Sequence, residues 1–283
     1  MFQINWKLKS FIYRIFFIFK LEKTLFFIQK KITKRAEVKI DEIHSSWKDH
    51  LRHLKSFKSV KILEFGAGKS LEQNIFLSYE SNHKLDQTLI DVSNMLDFDL
   101  FNNANEKISK LLNINREPFV RSVEDVKKFY NITYLAPCSI DEIAMKGHLF
   151  DACISSSTLE HLPIDVLNNT FKILKKIIKK NGIISAVIDY SDHYSHTDNT
   201  IGHLNFLQFN DSEWRKYNTS FLFQNRFRHQ NFRDFFLKLG YEVVSEIRGK
   251  SGIPPKIMSE KFDHDNKDTY FLWGHFVLKN KEN

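Results

Sequence analysis

"LEFGAGKS", Leu63 to Ser70, decides how the rest of the chain is read. Its right end, Gly68-Lys69-Ser70, looks like the close of a phosphate-binding loop. Such a loop needs Gly-x-x-x-x-Gly-Lys-Ser/Thr, so that its backbone N–H groups can wrap a phosphate. Counting back from Gly68 puts Leu63 where the first glycine belongs, and Glu64 would set a carboxylate beside a polyphosphate. A dinucleotide fingerprint fails as well, because Gly66-x-Gly68-x-x calls for a third glycine and meets Leu71. What remains is a strand, "VKILEF" (Val60 to Phe65), that ends in an acid and runs into two glycines. Such a tight turn lets the backbone come close to a ligand.

Outward from this turn, short apolar runs alternate with helical stretches. "QTLID" (Gln87 to Asp91), "NITYL" (Asn131 to Leu135), "FDACIS" (Phe150 to Ser155) and "IISAVID" (Ile183 to Asp189) read as further strands. Helices are predicted over Leu71 to Tyr79 and over Ile164 to Lys180, the second stopped by Asn181-Gly182. "NFRDFFLKLG" (Asn231 to Gly240) is a last helix with its stop glycine; "YEVVSEIR" and "TYFLWGHFVLK" are two closing strands. Ahead of the turn, Ile40, Ile43, Trp47, Leu51 and Leu54 share one helical stripe. This alternation predicts an α/β fold, a largely parallel sheet with helices on both faces.

The 283 residues carry a formal net charge of +8. Residues 1–35 hold nine basic side chains and one acid, so the arm carries the whole excess and the remainder is balanced. That argues against a broadly basic nucleic-acid-binding domain. Two cysteines, Cys138 and Cys153, exclude a disulfide framework and fit a reducing, cytoplasmic setting. The arm is apolar too: "FIYRIFFIF" (Phe11 to Phe19), then Leu21, Leu25, Ile28 and Ile32 at helical spacing, with Lys20, Lys23, Lys30, Lys31 and Lys34 mostly opposite. Its charges interrupt it too often for a membrane span, and no small-residue cleavage site follows. Two readings stay open: a helix packed on the domain or on a partner, or one lying peripherally on an anionic membrane. The expected division is an arm, 1–35, and a domain, 36–283, with a hinge around 32–40 and an insertion at 190–229.

Glu64-Phe65-Gly66-Ala67-Gly68-Lys69-Ser70 resembles motif I of the class I S-adenosylmethionine-dependent methyltransferases, acid-x-Gly-x-Gly-x-Gly, with Ser70 in place of the third glycine. Asp91 stands where that family ends its second strand in an acid for the ribose diol, a fitting partner because a carboxylate offers two acceptor oxygens. "FDACISSSTLEHLP" is similar to the family's fourth-strand stretch over Asp151, Ser155, Leu159, Glu160, His161 and Pro163. Where the family often has an acid for adenine after the third strand, this chain has Ser139 and then Asp141. The resemblance implies a Rossmann-like seven-stranded sheet, with N-terminal helices and a cap insertion after the fifth strand. It implies S-adenosyl-L-methionine as cofactor, held by Glu64, Gly66, Ala67, Gly68, Asp91, Val92, Ser139, Ser155 and Glu160.

The acceptor is read from what surrounds these motifs. Base-amine methylases carry Asn/Asp-Pro-Pro-aromatic after the fourth strand, where this chain has "SSST", so nucleic acid is not expected. The 190–229 insertion resembles a type 11-like small-molecule subgroup, similar to methyltransferases of bacterial surface-polysaccharide synthesis, through Asp192-His193-x-x-His196-x-Asp198 and Gln224-Asn225-Arg226-x-Arg228. Rings such as Tyr194, Phe206, Trp214 and Phe223 beside polar groups suit a sugar, whose faces are apolar and whose rim is hydroxyls. O-methylation needs alignment and a base. His193 is the first candidate, then His196 and His161, with Asp189, Asp192 or Asp198 as orienting carboxylates. Asp192, Tyr194, Asn225, Arg226 and Arg228 are expected on the acceptor. Asp192, His193, His196 and Asp198 also have metal-ligand chemistry, but such clusters are frequent in polar loops and no metal is assigned. The expected function is O-methylation of a saccharide or glycolipid precursor. A quinone-like or other lipid acceptor is the alternative, and a non-catalytic cofactor-fold scaffold at the membrane is the alternative of another class.

Overall fold

The structure, a computed structural model, describes residues 3–29, 38–55 and 60–281. Ile32, Lys30, Lys31, Lys34 and Arg35 of the predicted arm, the 35/36 boundary and most of the expected hinge lie outside them. Seven strands form one sheet: β1 (Val60–Phe65), β2 (Leu85–Ile90), β3 (Ile132–Leu135), β4 (Phe150–Ser156), β5 (Ile178–Asp189), β6 (Tyr241–Arg248) and β7 (Trp273–Asn280). Their order is β3-β2-β1-β4-β5-β7-β6. β1 to β5 run parallel, and β7 is antiparallel to both β5 and β6. Strand order reverses between β1 and β4, and in such sheets the crevice beyond the carboxyl ends at that point takes the ligand. The seven-stranded expectation is met.

Ten helices decorate the described residues: α1 (Trp6–Ile18), α2 (Glu22–Phe27), α3 (Ser45–Leu54), α4 (Glu72–Glu80), α5 (Phe98–Leu112), α6 (Val123–Tyr130), α7 (Ile140–Met145), α8 (Ile164–Ile177), α9 (Asp211–Trp214) and α10 (His229–Lys238). Local signals set their ends. Asp97, Ser122 and Ser139 accept from backbone N–H groups at the starts of α5, α6 and α7, and Asn113 and Asn131 turn left-handed to close α5 and α6.

Two boundaries differ from the sequence reading. The stripe from Ile40 to Leu54 is not one helix: α3 starts at Ser45, because His44 Nδ1 accepts from the Ser46 N–H, while Val38 and Ile40 are buried in irregular chain. The predicted helix ending at Asn181-Gly182 stops at Ile177 instead. Its buried face is complete there, and Ile178 pairs with Phe150 before a register shift brings Ile183 beside Ala152. Gly182 is needed in this bulge, since a Cβ would sit 2.6 Å from Ile178 Cγ2 and 2.7 Å from the Asp151 carbonyl.

Apolar side chains bury into two clusters on the sheet and a third beneath the 190–229 insertion. Trp6 belongs to the third, in ring contact with Tyr194, Phe209 and Tyr217. Lys9 reaches Thr197, and Asp198 accepts from the Trp6 N–H. Thus α1 packs on the body through Trp6, Lys9, Ser10 and Tyr13. Its other face leaves Leu8, Phe11, Ile15 and Ile18 exposed. No helix among the described residues is long and apolar enough to cross a membrane.

Candidate functional site

The glycine turn occupies the sheet's crevice as the sequence placed it. Gly66 has φ +76° and Gly68 φ +81°. A Cβ on Gly66 would lie 2.6 Å from Thr158 Cγ2 and 2.7 Å from its Oγ1, whereas one on Gly68 would meet open space. Gly66 is therefore required twice, by conformation and by the chain entering from β4. Ala67, half-buried, packs against the first core cluster, and Lys69 lies over the Phe26 ring of α2.

A cleft of about 240 Å³ opens beside the turn, lined on one side by Gly66, Asp91, Val92 and Thr158 and on the other by Cys138, Ser139, Ile140 and Asp141. Asp91 is buried at its base, held by the Tyr134 hydroxyl at 3.3 Å, and desolvation pushes its carboxyl up to about 6 against that bond. Ser139 caps α7 from the cleft wall. Both cysteines are free and buried, and burial raises both thiols.

Glu64 faces inward rather than into the cleft. Gln73 Nε2 and Asn74 Nδ2 donate to its two oxygens at 3.1 and 2.6 Å. Burial raises its carboxyl to about 7 despite those bonds. Behind it runs a buried chain that sequence reasoning did not find. Ser156 Oγ donates to Gln73 Oε1 at 2.8 Å, so it must accept from His50 Nε2, 2.9 Å away. Ser185 Oγ then donates to His50 Nδ1 and accepts from His275 Nε2, each at 2.8 Å. A neutral His50, favoured because burial pushes its pKa well down, satisfies this direction of donors.

A second cleft, about 330 Å³, begins next along the chain at Ser157 and lies beyond β5. Asp189, Ser191 and His196 line it together with His44, Ser46, His203 and Trp273, which sequence reasoning missed because they come from separated segments. His193 stacks on His196 at 5.0 Å and meets His161 edge-on at 4.8 Å. Asp189 Oδ2 lies 3.2 Å from His193 Nε2. Burial alone would raise Asp189, but His193 and Ser191 bring it down to about 2. His161 and His196 are both held below the ordinary histidine value, first by burial and then by His193. Ser155 and Glu160 are buried close by in the chain, and no other side chain hydrogen-bonds to either.

Several expected acceptor contacts are corrected by burial. Arg228 donates to the carbonyls of Thr269, Tyr190 and Phe271 at 2.8, 2.6 and 2.5 Å. Arg226 donates to the Phe206 and Phe209 carbonyls and pairs with Asp211. Asn225 Nδ2 holds the Leu159 and Leu162 carbonyls. Asp192, fully buried, accepts from the Tyr194 N–H and from Asn205, and Asp198 is committed to Trp6 and Thr200. Tyr194, Phe206 and Trp214 form the insertion's core. These groups shape the cap from within, so the four-residue metal set of the sequence reading is not brought together.

No protein-family model matches the sequence, and no curated protein sequence does. Solved structures do match. The Burkholderia thailandensis 1,6-didemethyltoxoflavin-N1-methyltransferase, solved with bound 1,6-didemethyltoxoflavin and S-adenosylhomocysteine, aligns at TM-score 0.52 and 11% identity over 94% of this chain and 88% of its own. The chain has the class I methyltransferase fold. The magnesium protoporphyrin IX methyltransferase of Synechocystis PCC 6803, with bound S-adenosylhomocysteine, aligns at TM-score 0.51 and 12% identity over 96% of this chain and 99% of its own. The chain spans 49% of the length of a CurJ carbon methyltransferase, at TM-score 0.44 and 14% identity.

Proposed function

We propose that the chain is an S-adenosylmethionine-dependent methyltransferase that O-methylates a small hydroxylated acceptor, a saccharide or glycolipid precursor. The observation that carries this reading is a pair of clefts lined by consecutive residues, Thr158 in the one with Asp91 and Gly66, Ser157 in the one with the imidazoles of His44, His196 and His203. In this reading Asp91 takes the ribose hydroxyls and Gly66 admits the cofactor to the backbone. Val92, Ser139 and Asp141 flank the adenosine, and Ser155 and Glu160 lie toward the methionine end. The cofactor's sulfonium makes its methyl group electrophilic, so the protein has to align the acceptor and take its proton. The His193–His196 pair, with Asp189 beside it, takes that proton, and His161 braces His193. The acceptor oxygen gains the methyl group as the C–S bond breaks, and the bond's electron pair stays on sulfur.

A lipid acceptor is the second reading. It is favoured by the outward face of α1, where exposed Leu8, Phe11, Ile15 and Ile18 are flanked by Lys7, Arg14 and Lys20. A helix presenting this pattern suits an anionic membrane surface. The decisive first test is the melting temperature of the full chain with S-adenosylhomocysteine. At 100 times its dissociation constant a ligand adds about 2.7 kcal/mol, or roughly 5–10 °C here. No shift refutes the cofactor assignment. Transfer of labelled methyl to a nucleotide-sugar or polymer fraction supports the saccharide, and transfer only to detergent-soluble acceptors supports the lipid.

A further inference from the structure

We propose that Glu160, His161 and His193 form a binding site for one divalent transition-metal ion behind the cleft-lining Asp189 and His196. One ligand atom from each lies within 4.8 Å of the others. Around an ion at about 2.0–2.2 Å from each ligand, donors sit about 3–3.5 Å apart, so small side-chain rotations close the set. The sequence reading assigned no metal, and the one set it weighed shares only His193 with this one.

Three independent features point to a ligand. Glu160 is 3% exposed, and no side chain donates to either of its carboxylate oxygens. A buried carboxylate is normally paired or on a metal. His193 Nε2 is also buried, and its near neighbour is a carboxylate, Asp189 Oδ2 at 3.2 Å. His161 Nδ1 donates to the Phe223 carbonyl at 2.7 Å, which leaves its Nε2 lone pair bare. Metal-bound histidines characteristically fix their tautomer through such a bond.

Charge agrees with this assignment. Glu160 and Asp189 put two carboxyl groups in one buried neighbourhood, where a cation between them offsets their repulsion. Two imidazoles and one carboxylate suit Mn²⁺, Fe²⁺, Co²⁺ or Zn²⁺ better than Mg²⁺ or Ca²⁺, and three protein ligands leave further coordination positions open. With the ion bound, His193 serves as ligand and His196 remains as the base in the cleft wall.

The test uses the full chain, stripped with chelator and titrated with Mn²⁺ while the free-ion electron paramagnetic resonance signal is followed; Co²⁺ is read by its visible spectrum. The expected result is one saturable site per chain, weakened more than about ten-fold in Glu160→Gln and in His161→Ala, and unchanged in His196→Asn. Absence of saturable binding of either ion by the wild-type chain overturns the proposal. So does wild-type affinity in both Glu160→Gln and His161→Ala. Circular dichroism melts without metal show that the variants fold. The S-adenosylhomocysteine melting shift is measured on the same samples, so metal binding and the methyltransferase reading fail or stand separately.

Discussion

Substituting Gly66 and Gly68 by alanine separates two costs that one turn combines. Both residues have positive φ, so either alanine is forced into a left-handed conformation at about 1–2 kcal/mol. For Gly68→Ala nothing more is expected, because its new methyl group enters open space. For Gly66→Ala the methyl group would lie 2.6 Å from Thr158 Cγ2. Overpacking of this kind costs a further ~1–3 kcal/mol. At roughly 2–4 °C per kcal/mol, Gly66→Ala should melt about 2–12 °C below Gly68→Ala. Thr158→Ala removes both clashing atoms together with their bonds to the Ser156 and Gly66 carbonyls. It should cost about 1 kcal/mol alone yet recover most of the gap when combined with Gly66→Ala, a coupling that a double-mutant cycle by urea unfolding measures directly. Equal melting temperatures for the two alanine variants, or no coupling to Thr158, would refute the close approach of β4's exit to the turn.

Asp91→Asn should weaken S-adenosylhomocysteine binding by ten-fold or more in calorimetry without lowering the ligand-free melting temperature, and unchanged affinity sinks Asp91 as the ribose ligand. Folding raises Glu64 from 4.5 to about 7 and Asp91 from 3.8 to about 6. The native chain therefore holds more protons than the unfolded one across that window, and this part of its stability, full below about pH 4, is lost as pH rises to 7. Urea midpoints of Glu64→Gln should fall less between pH 5 and 7.5 than those of the wild type, and parallel curves contradict the raised value. Asp189, lowered to about 2, acts oppositely, contributing stability above about pH 4 that disappears toward pH 2. Arg228→Leu strands two buried carbonyls and a part-buried one at ~1–3 kcal/mol each and should cost more than about 3 kcal/mol in urea unfolding; a fully stable variant with only a raised acceptor KM would return Arg228 to the acceptor. Trp6→Ala should remove ~3–5 kcal/mol of packing and speed proteolysis near α1, and unaltered proteolysis refutes docking of the arm through Trp6.

The amino-acid sequence by itself determined the sheet and the position of the glycine turn and Asp91 at its crevice. Those features are local: an apolar run, an acid at its end, and glycines at positions that need positive φ. Their spacing survives folding unchanged, so Glu64, Gly66 and Asp91 could be numbered in advance. Even so, Glu64's inward direction was not legible, because its partners Gln73 and Asn74 are set by the way α4 packs. The acceptor side was decided by tertiary structure. His44 from the start of α3, His203 from the insertion and Trp273 from β7 share one cleft, and no local pattern brings them together. Polar residue types in the insertion suggested a ligand surface, yet Arg226, Arg228, Asp192 and Tyr194 were drawn inside to satisfy carbonyls and fill the cap's core. A linear pattern records which groups can hydrogen-bond; only burial decides whether their partner is the protein or something it binds.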